Sequence, residues 1–301
     1  MKDGAADGTA ETAWLRAMPI VFVLIWSTGF VVARFGMPHA PPFSFLAWRF
    51  LFSILVFVVW VLLVRAVWPR DRQQWLHLSV VGVLIHAGYL GGVWAAVKGG
   101  LGAGLAALIV GLQPLLTALW LSAMQREQSV NARQWLGLVL GLSGLMLVVS
   151  GKLHVGEVHW SNLPWALLAL LSITAGTLYQ KRWVKPCDVR TANAVQLLAA
   201  LLVTAPLAWL ETESVIWHPE LVGAMLWSVL VLTLGGSSLL YLLIQRGAAT
   251  QVSSLMYLVP PCTAVLAALL FGEALNANVL LGLALAAFGV ALVVRKAAPA
   301  R

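Results

Sequence analysis

Charge is the first thing this chain has little of. Only 10% of its 301 residues are Asp, Glu, Lys or Arg, against about a quarter in a soluble globular domain, which excludes an ordinary water-exposed surface. Acid is scarcer than base: there are 11 Asp and Glu against 19 Lys and Arg. Every carboxylate falls in a tail, a connection or the end of an apolar run, so none stands mid-run to carry a proton or balance a lipophilic cation. That excludes the usual device of multidrug proton antiport. Cysteine is nearly absent. Cys187 lies in a connection and Cys262 inside an apolar run, too far apart in level for a disulfide. No metal-ligand cluster is visible, and neither metal nor cofactor is expected. A basic signal-peptide start is missing too: the residues up to Ala13 carry Asp3, Asp7 and Glu11, and residues 1–14 are expected to be an uncleaved cytoplasmic tail, about a dozen of them disordered.

What abounds is apolar. Hydrophobic residues make up 61% of the chain and the mean hydropathy is +0.90. Divided into membrane spans of about 20 residues, the chain gives ten: Leu15 to Ala33, Phe43 to Val64, Trp75 to Val97, Gly102 to Met124, Arg133 to Ser150, Asn162 to Trp183, Thr191 to Leu210, Leu221 to Ile244, Val252 to Phe271 and Ala277 to Val294. The runs are near-continuous rather than alternating, which selects helices over barrel strands. Many of the 15 Trp, among them Trp14, Trp68, Trp75, Trp135, Trp160 and Trp217, fall at span ends, where indoles anchor in the interface.

The basic residues set the orientation. With the N-terminus inside, 15 Lys and Arg fall on the cytoplasmic side and only Arg34, Lys98 and Lys152 outside, with Arg49 within the membrane; both termini are therefore expected in the cytoplasm. The basic groups are dealt out in small sets at every second connection rather than gathered in one stripe, so no nucleic-acid partner is implied.

The two halves repeat each other. Gly29 recurs as Gly176, Arg34 as Lys181, Arg49 as Gln196, Trp94 as Tyr241, Lys98 as Gln245 and Pro114 as Pro261, each 147 residues on; Glu127 recurs as Glu273 after 146. A repeat of five helices returns in the opposite membrane orientation, the architecture of alternating-access carriers. The expected fold is all-α: ten transmembrane helices as two inverted five-helix repeats, residues 15–150 and 162–294, around a central cavity, with residues 295–301 a second cytoplasmic tail.

On Trp26, Arg34, Arg49, Pro114, Glu127 and Gly137, Gly141, Gly144 in the first half, and Lys181, Pro261, Gly272, Glu273, Gly282 and Gly289 in the second, the chain resembles EamA domains of the drug/metabolite transporter superfamily. The resemblance runs from about Leu15 to Val294. It departs at Ser27, where the family usually has Gly, at Arg126 before Glu127, and at Gln196 in place of the second helix-two Arg. It implies that helices one to four and six to nine surround the cavity while five and ten support it from outside. The small residues Gly141, Ser143, Gly144, Gly282 and Gly289 of those two spans suit close helix packing.

Polar and aromatic residues at membrane depth supply the cavity candidates: Trp26, Ser27, Thr28, Arg49, His86, Tyr89, Trp94, Lys98, Gln113, Thr174, Tyr179, Gln196, Tyr241, Gln245 and Tyr257. An ionisable group in lipid is expensive, which singles out Arg49 and His86; for each the competing role is helix packing, Arg49 holding neighbouring carbonyls. Lone Ser and Thr hydroxyls more often bond back to their own helix. Pro114, Pro260 and Pro261 remove backbone donors at matching places and are the candidate gating breaks. Basic groups beside aromatic rings suit a carboxylate-bearing solute with an apolar side chain. The resemblance implies a bacterial inner-membrane permease that exports amino acids, aromatic ones included, or related metabolites by alternating access, acting as monomer or homodimer with lipid and a small-molecule substrate as its partners. Organic anions or sugar-phosphates are the alternative substrates. From another class, an intramembrane serine hydrolase would use Ser237 in Gly235-Gly236-Ser237 with His86 as base, but the repeat maps neither residue onto a matching partner.

Overall fold

In lipid the backbone must satisfy its own hydrogen bonds, which leaves helices as the form open to long apolar runs. The computed structural model describes residues 4–124, 132–154, 158–239 and 258–294, and among these there is no strand. Six described helices are long and apolar enough to cross a membrane, and four shorter apolar helices accompany them.

Helix α1 spans Gly4–Gly36 and so differs from the expected disordered tail: residues 4–13 are helical. The run is rich in Ala, which favours helix. Helix α2, Pro42–Val64, begins with Pro at its first position and ends at Arg65 in the left-handed conformation, φ 51°. It buries Phe45, Leu46, Arg49, Phe50, Ser53 and Phe57 on one stripe, while Leu55, Val59, Leu62 and Leu63 face outward. Helix α3 runs Arg72–Lys98. Asp71 caps it by accepting from Gln73 N at 2.9 Å, and its middle, Gly82–Leu90, is π-helical.

Helix α4 comes in two pieces, Ala103–Val110 and Gln113–Met124, parted at Gly111 and Leu112. Pro114 sits in the first turn of the second piece, where its missing N–H costs nothing. Helices α5, Ala132–His154, α6, Leu163–Trp183, and α7, Val189–Leu210, follow. Helix α8 starts as Pro219–Leu226 and becomes π-helical over Trp227–Ser237. Helix α9, Val259–Phe271, carries Pro260 and Pro261 in its first turn and ends at Gly272, φ 66°, where the left-handed conformation favours glycine. Helix α10 is Ala277–Val294.

Two symmetries connect these elements. The π-helical stretch of α3, moved by the repeat offset, falls at residues 229–237, inside the π-helical stretch of α8. The break at Gly111 maps in the same way onto Leu258, the turn residue that opens α9, and the two breaks touch: a Cβ on Gly111 would come within 2.5 Å of Pro260 Cγ.

Helices α5 and α10 pack through glycine. A Cβ on Gly144 would run into the Gly282 carbonyl, and one on Gly289 into the Gly137 carbonyl. As the chain advances from Gly137 to Gly144, its neighbour retreats from Gly289 to Gly282, so the pair is antiparallel. Small residues let backbones approach this closely where no hydrophobic effect drives helices together. Helices α2 and α7 are antiparallel as well. Thr191, at the start of α7, donates to Val67 O just past the end of α2 at 3.2 Å, and Glu211, just past the end of α7, accepts from Phe43 N and Ser44 N at the start of α2 at 2.9 and 2.7 Å.

The connections sort into two ends. At one end, Lys98 donates to Met37 O and pairs with Glu213 at 2.6 Å, Ile216 N donates to His39 O at 2.8 Å, Asn162 donates to Gly99 O at 3.0 Å, and Glu273 pairs with Arg34 at 3.2 Å. These join the connections after α1, α3, α5, α7 and α9. At the other end, Gln74 exchanges two hydrogen bonds with the backbone of Lys185, joining the connections after α2 and α6.

Candidate solute-binding cavity

Between α1, α2, α3, α6, α7 and α8 lies a cavity of about 800 Å³, its mouth included. Helix α1 gives it Trp26, Gly29 and Phe30; α2 gives Arg49; α3 gives Ile85, His86, Tyr89, Leu90, Val93 and Trp94; α6 gives Gln180; α7 gives Asn193 and Gln196; α8 gives Leu232 and Ser237. The π-helical stretches supply Ile85, His86, Tyr89 and Leu90 from one repeat and Leu232 and Ser237 from the other. An i to i+5 turn widens a helix and re-aims its side chains, and such turns concentrate at functional sites.

Arg49 is the charge in this hollow. It is 5% exposed, and its Nε and Nη2 donate to Thr233 Oγ1 at 3.3 and 3.2 Å. Thr233 in turn donates to Ser228 O, five residues back, at 2.8 Å; the π-helical backbone places that carbonyl under the hydroxyl. A guanidinium has five N–H groups, and among the described residues two of them are engaged. No carboxylate pairs with Arg49 among the described residues. His86 lies against Gln196, and Tyr89 against Trp26.

Toward its Lys98 end the cavity is lined by Trp94. Trp94, 1% exposed, stacks on Phe45 with ring centroids 4.2 Å apart. Both press on Gly36, where a Cβ would stand 3.1 Å from Trp94 and 3.3 Å from Phe45. Toward the opposite end the lining reaches Gln180 and Asn193, each within about one turn of the terminus of its helix.

Of the residues singled out in the sequence, Trp26, Arg49, His86, Tyr89, Trp94 and Gln196 come together on this lining. Others are engaged elsewhere. Ser27 donates to Val23 O, and Thr174 to Leu170 O, one turn back. Thr28 accepts from Trp227 Nε1 at 2.9 Å, Gln113 donates to Thr177 Oγ1 at 3.0 Å, and Tyr179 meets His77 Nδ1 at 2.8 Å. Lys98 belongs to the cluster of connections at its end. Tyr241, Gln245 and Tyr257 lie outside the described residues. Helices α4 and α9, with Pro114, Pro260 and Pro261, contribute nothing to the described lining. Ser237 is on the lining, but no hydrogen bond joins it to His86 among the described residues, as a serine nucleophile and its base would require.

The lining also holds residues that sequence reasoning passed over. Asn193 and Gln180 are polar but sit near helix ends, where polarity is ordinary. Phe30, Val93 and Leu232 are apolar, and an apolar side chain in a membrane helix gives no sign of whether it faces lipid, a neighbour or a cavity. Thr233, which is not on the lining but holds Arg49, could not be read because its partner is 184 residues away in the chain.

The pattern of the EamA-like transporter family matches the chain twice, at residues 15–150 and 160–295. The chain belongs to the EamA-like transporter family. Among EamA-type relatives, it is 28% identical over 280 residues to the inner membrane transporter YedA of Escherichia coli (strain K12), covering 90% of this chain and 87% of the relative. It is 25% identical over 283 residues, 91% of this chain and 92% of the relative, to a Salmonella typhimurium protein named "Probable amino-acid metabolite efflux pump". A solved crystal structure shares the fold with a TM-score of 0.64 at 20% identity, over 91% of this chain and 94% of that one. This EamA-type chain is a multi-pass transport protein of the bacterial inner membrane.

Proposed function

We propose that this transporter exports amino acids, aromatic ones among them, by alternating access, with Arg49 receiving the solute carboxylate. The observation that carries the reading is a buried guanidinium, held by Thr233, in a cavity whose lining also includes the rings of Trp26, Phe30, Tyr89 and Trp94. A carboxylate completes the guanidinium with charge-assisted hydrogen bonds, and the rings offer an apolar or aromatic side chain its counterpart. The name of the Salmonella relative points to the same solute class.

Alternating access draws support from the pairing of equivalent elements. Helices α2 and α7 are the second of each repeat and α5 and α10 the fifth, and each pair is antiparallel, as inverted five-helix repeats require. The bias of basic residues assigns the Lys98 end to the outside and both termini to the cytoplasm. In that orientation the cavity reaches toward the cytoplasmic side while Trp94 and Phe45 close the outer side, as suits a carrier ready to load an export substrate. The breaks before Pro114 and before the Pro260–Pro261 pair, in contact through Gly111 and Pro260, form the hinge between the repeats.

Counterflow in proteoliposomes with a panel of labelled amino acids tests the substrate class. Exchange of phenylalanine, tyrosine or tryptophan is expected. Exchange of organic anions or sugar-phosphates, with no amino acid carried, would replace this reading by the anion one.

A further inference from the structure

At the Lys98 end, on residues that do not line the cavity, three side chains with metal-binding chemistry converge. His39, in the connection between α1 and α2, and His218 and Glu220, at the start of α8, bring one ligating atom each within 4.8 Å of the others. His39 Nε2 lies 2.9 Å from Glu220 Oε2. The two imidazoles stack with centroids 4.4 Å apart and 13° between their planes.

Local capping explains part of this. Pro219 opens α8, Glu220 is the acid of its first turn, and the His218 ring accepts from Glu220 N. Capping does not account for His39, which comes from the other repeat and is fixed by Ile216 N donating to its carbonyl at 2.8 Å. Two imidazoles and a carboxylate brought together from the two repeats are a donor set whose composition selects the guest; because ring nitrogens coordinate in the ring plane, the His218 ring must turn out of its stack on His39 to share an ion with it.

We propose that His39, His218 and Glu220 form a site for a zinc-class divalent transition metal ion that links the two repeats at the Lys98 end of the molecule. Two imidazole nitrogens and one carboxylate oxygen are the ligands such an ion takes, with water in the fourth position; magnesium and calcium, which demand six or more oxygens, find too few here. His218 joins by giving up its contact with the Glu220 amide, which at 3.3 Å is the longest polar contact of the cluster. The Glu220 side chain, 53% exposed, leaves the ion an open approach from solvent. Because one ligand belongs to the first repeat and two to the second, an ion held here resists separation of the connections on either side of it. The binding claim stands without any reading of transport. Its consequence, that the ion holds the outer end shut and slows exchange, rests on the alternating-access reading.

Calorimetric titration of zinc into tag-free, chelator-treated full-length protein tests the site. One ion per chain is expected, with affinity at least about tenfold weaker in His39→Gln and in His218→Ala, and unchanged in His159→Ala, whose ring is exposed elsewhere. Glutamine at 39 retains a donor for Glu220, so that variant keeps the contact that orders the connection. Cobalt loaded in place of zinc should give visible d–d absorption that His39→Gln abolishes. Equal zinc binding by wild type and the His39→Gln/His218→Ala double variant would overturn the site, as would magnesium competing on equal terms. If zinc binds through these residues but leaves counterflow as fast as before, the site stands and its hold on the outer end is refuted.

Discussion

A guanidinium sealed inside a membrane protein needs an opposite charge or a set of hydrogen bonds, and Arg49 has Thr233 alone for a described side-chain partner. The pair makes a paired prediction. Removing the charge with Arg49→Met should weaken solute binding by about 10- to 150-fold, the worth of charge-assisted hydrogen bonds of about 1.5–3 kcal/mol, read as a rise in the half-saturating concentration in counterflow. Thr233→Val leaves Arg49 charged but unanchored and should raise the same constant about tenfold, while Thr233→Ser, which keeps the oxygen, should restore it. Equal half-saturation in all the variants would remove Arg49 from the site. At this scale the sequence is readable where residue type conflicts with place: an Arg or His inside an apolar run announces itself, and so did Arg49, His86 and Gln196. Phe30, Val93 and Leu232 could not be read, because lipid and cavity wall ask for the same side chains. Lys98 was ambiguous for the opposite reason, since a charge at a helix end suits a mouth, a pairing partner or plain solvent, and here Glu213 claims it.

Helices were legible as hydropathic runs, and their breaks as prolines. Their fine structure was not. Nothing in Gly82–Leu90 or Trp227–Ser237 marks an i to i+5 turn, nor the close approach found in the first of them, where a Cβ on Gly82 would collide with the backbone of Gln196 on α7. Long-range capping escapes sequence in the same way. Pro41 stands at the N-cap of α2 and has no side chain able to accept from the first turn, so the carboxylate of Glu211 does so from the far end of α7, accepting from Phe43 N and Ser44 N. Removing it with Glu211→Ala should cost about 0.5–2 kcal/mol, a fall in Tm of about 2–4 °C per kcal/mol in a chain of this size class, measurable by scanning fluorimetry of the detergent-solubilised protein. An unchanged Tm would mean that solvent caps α2 equally well. Glycine in α5 and α10 pointed to close packing, since only small residues admit backbones so near, but that the two helices pack on each other is read from the structure.

For the molecule as a whole, a duplication written at an offset of 147 residues reappears as geometry: matching π-helical stretches, matching breaks in contact at Gly111 and Pro260, and equivalent helices running in opposite directions. One end is tied by Lys98, Glu213, Glu211 and His39, and the cavity reaches toward the other. The cation of the first repeat is held by the hydroxyl of the second, and on the proposed reading that is where the solute is recognised. The direct measurement is counterflow in proteoliposomes of phenylalanine against phenethylamine, the same molecule without its carboxylate. Wild-type protein should exchange phenylalanine and leave the amine behind, and Arg49→Met should lose at least about tenfold of the phenylalanine exchange. Equal exchange of the amine, or undiminished phenylalanine exchange by Arg49→Met, would contradict a site organised around the solute carboxylate.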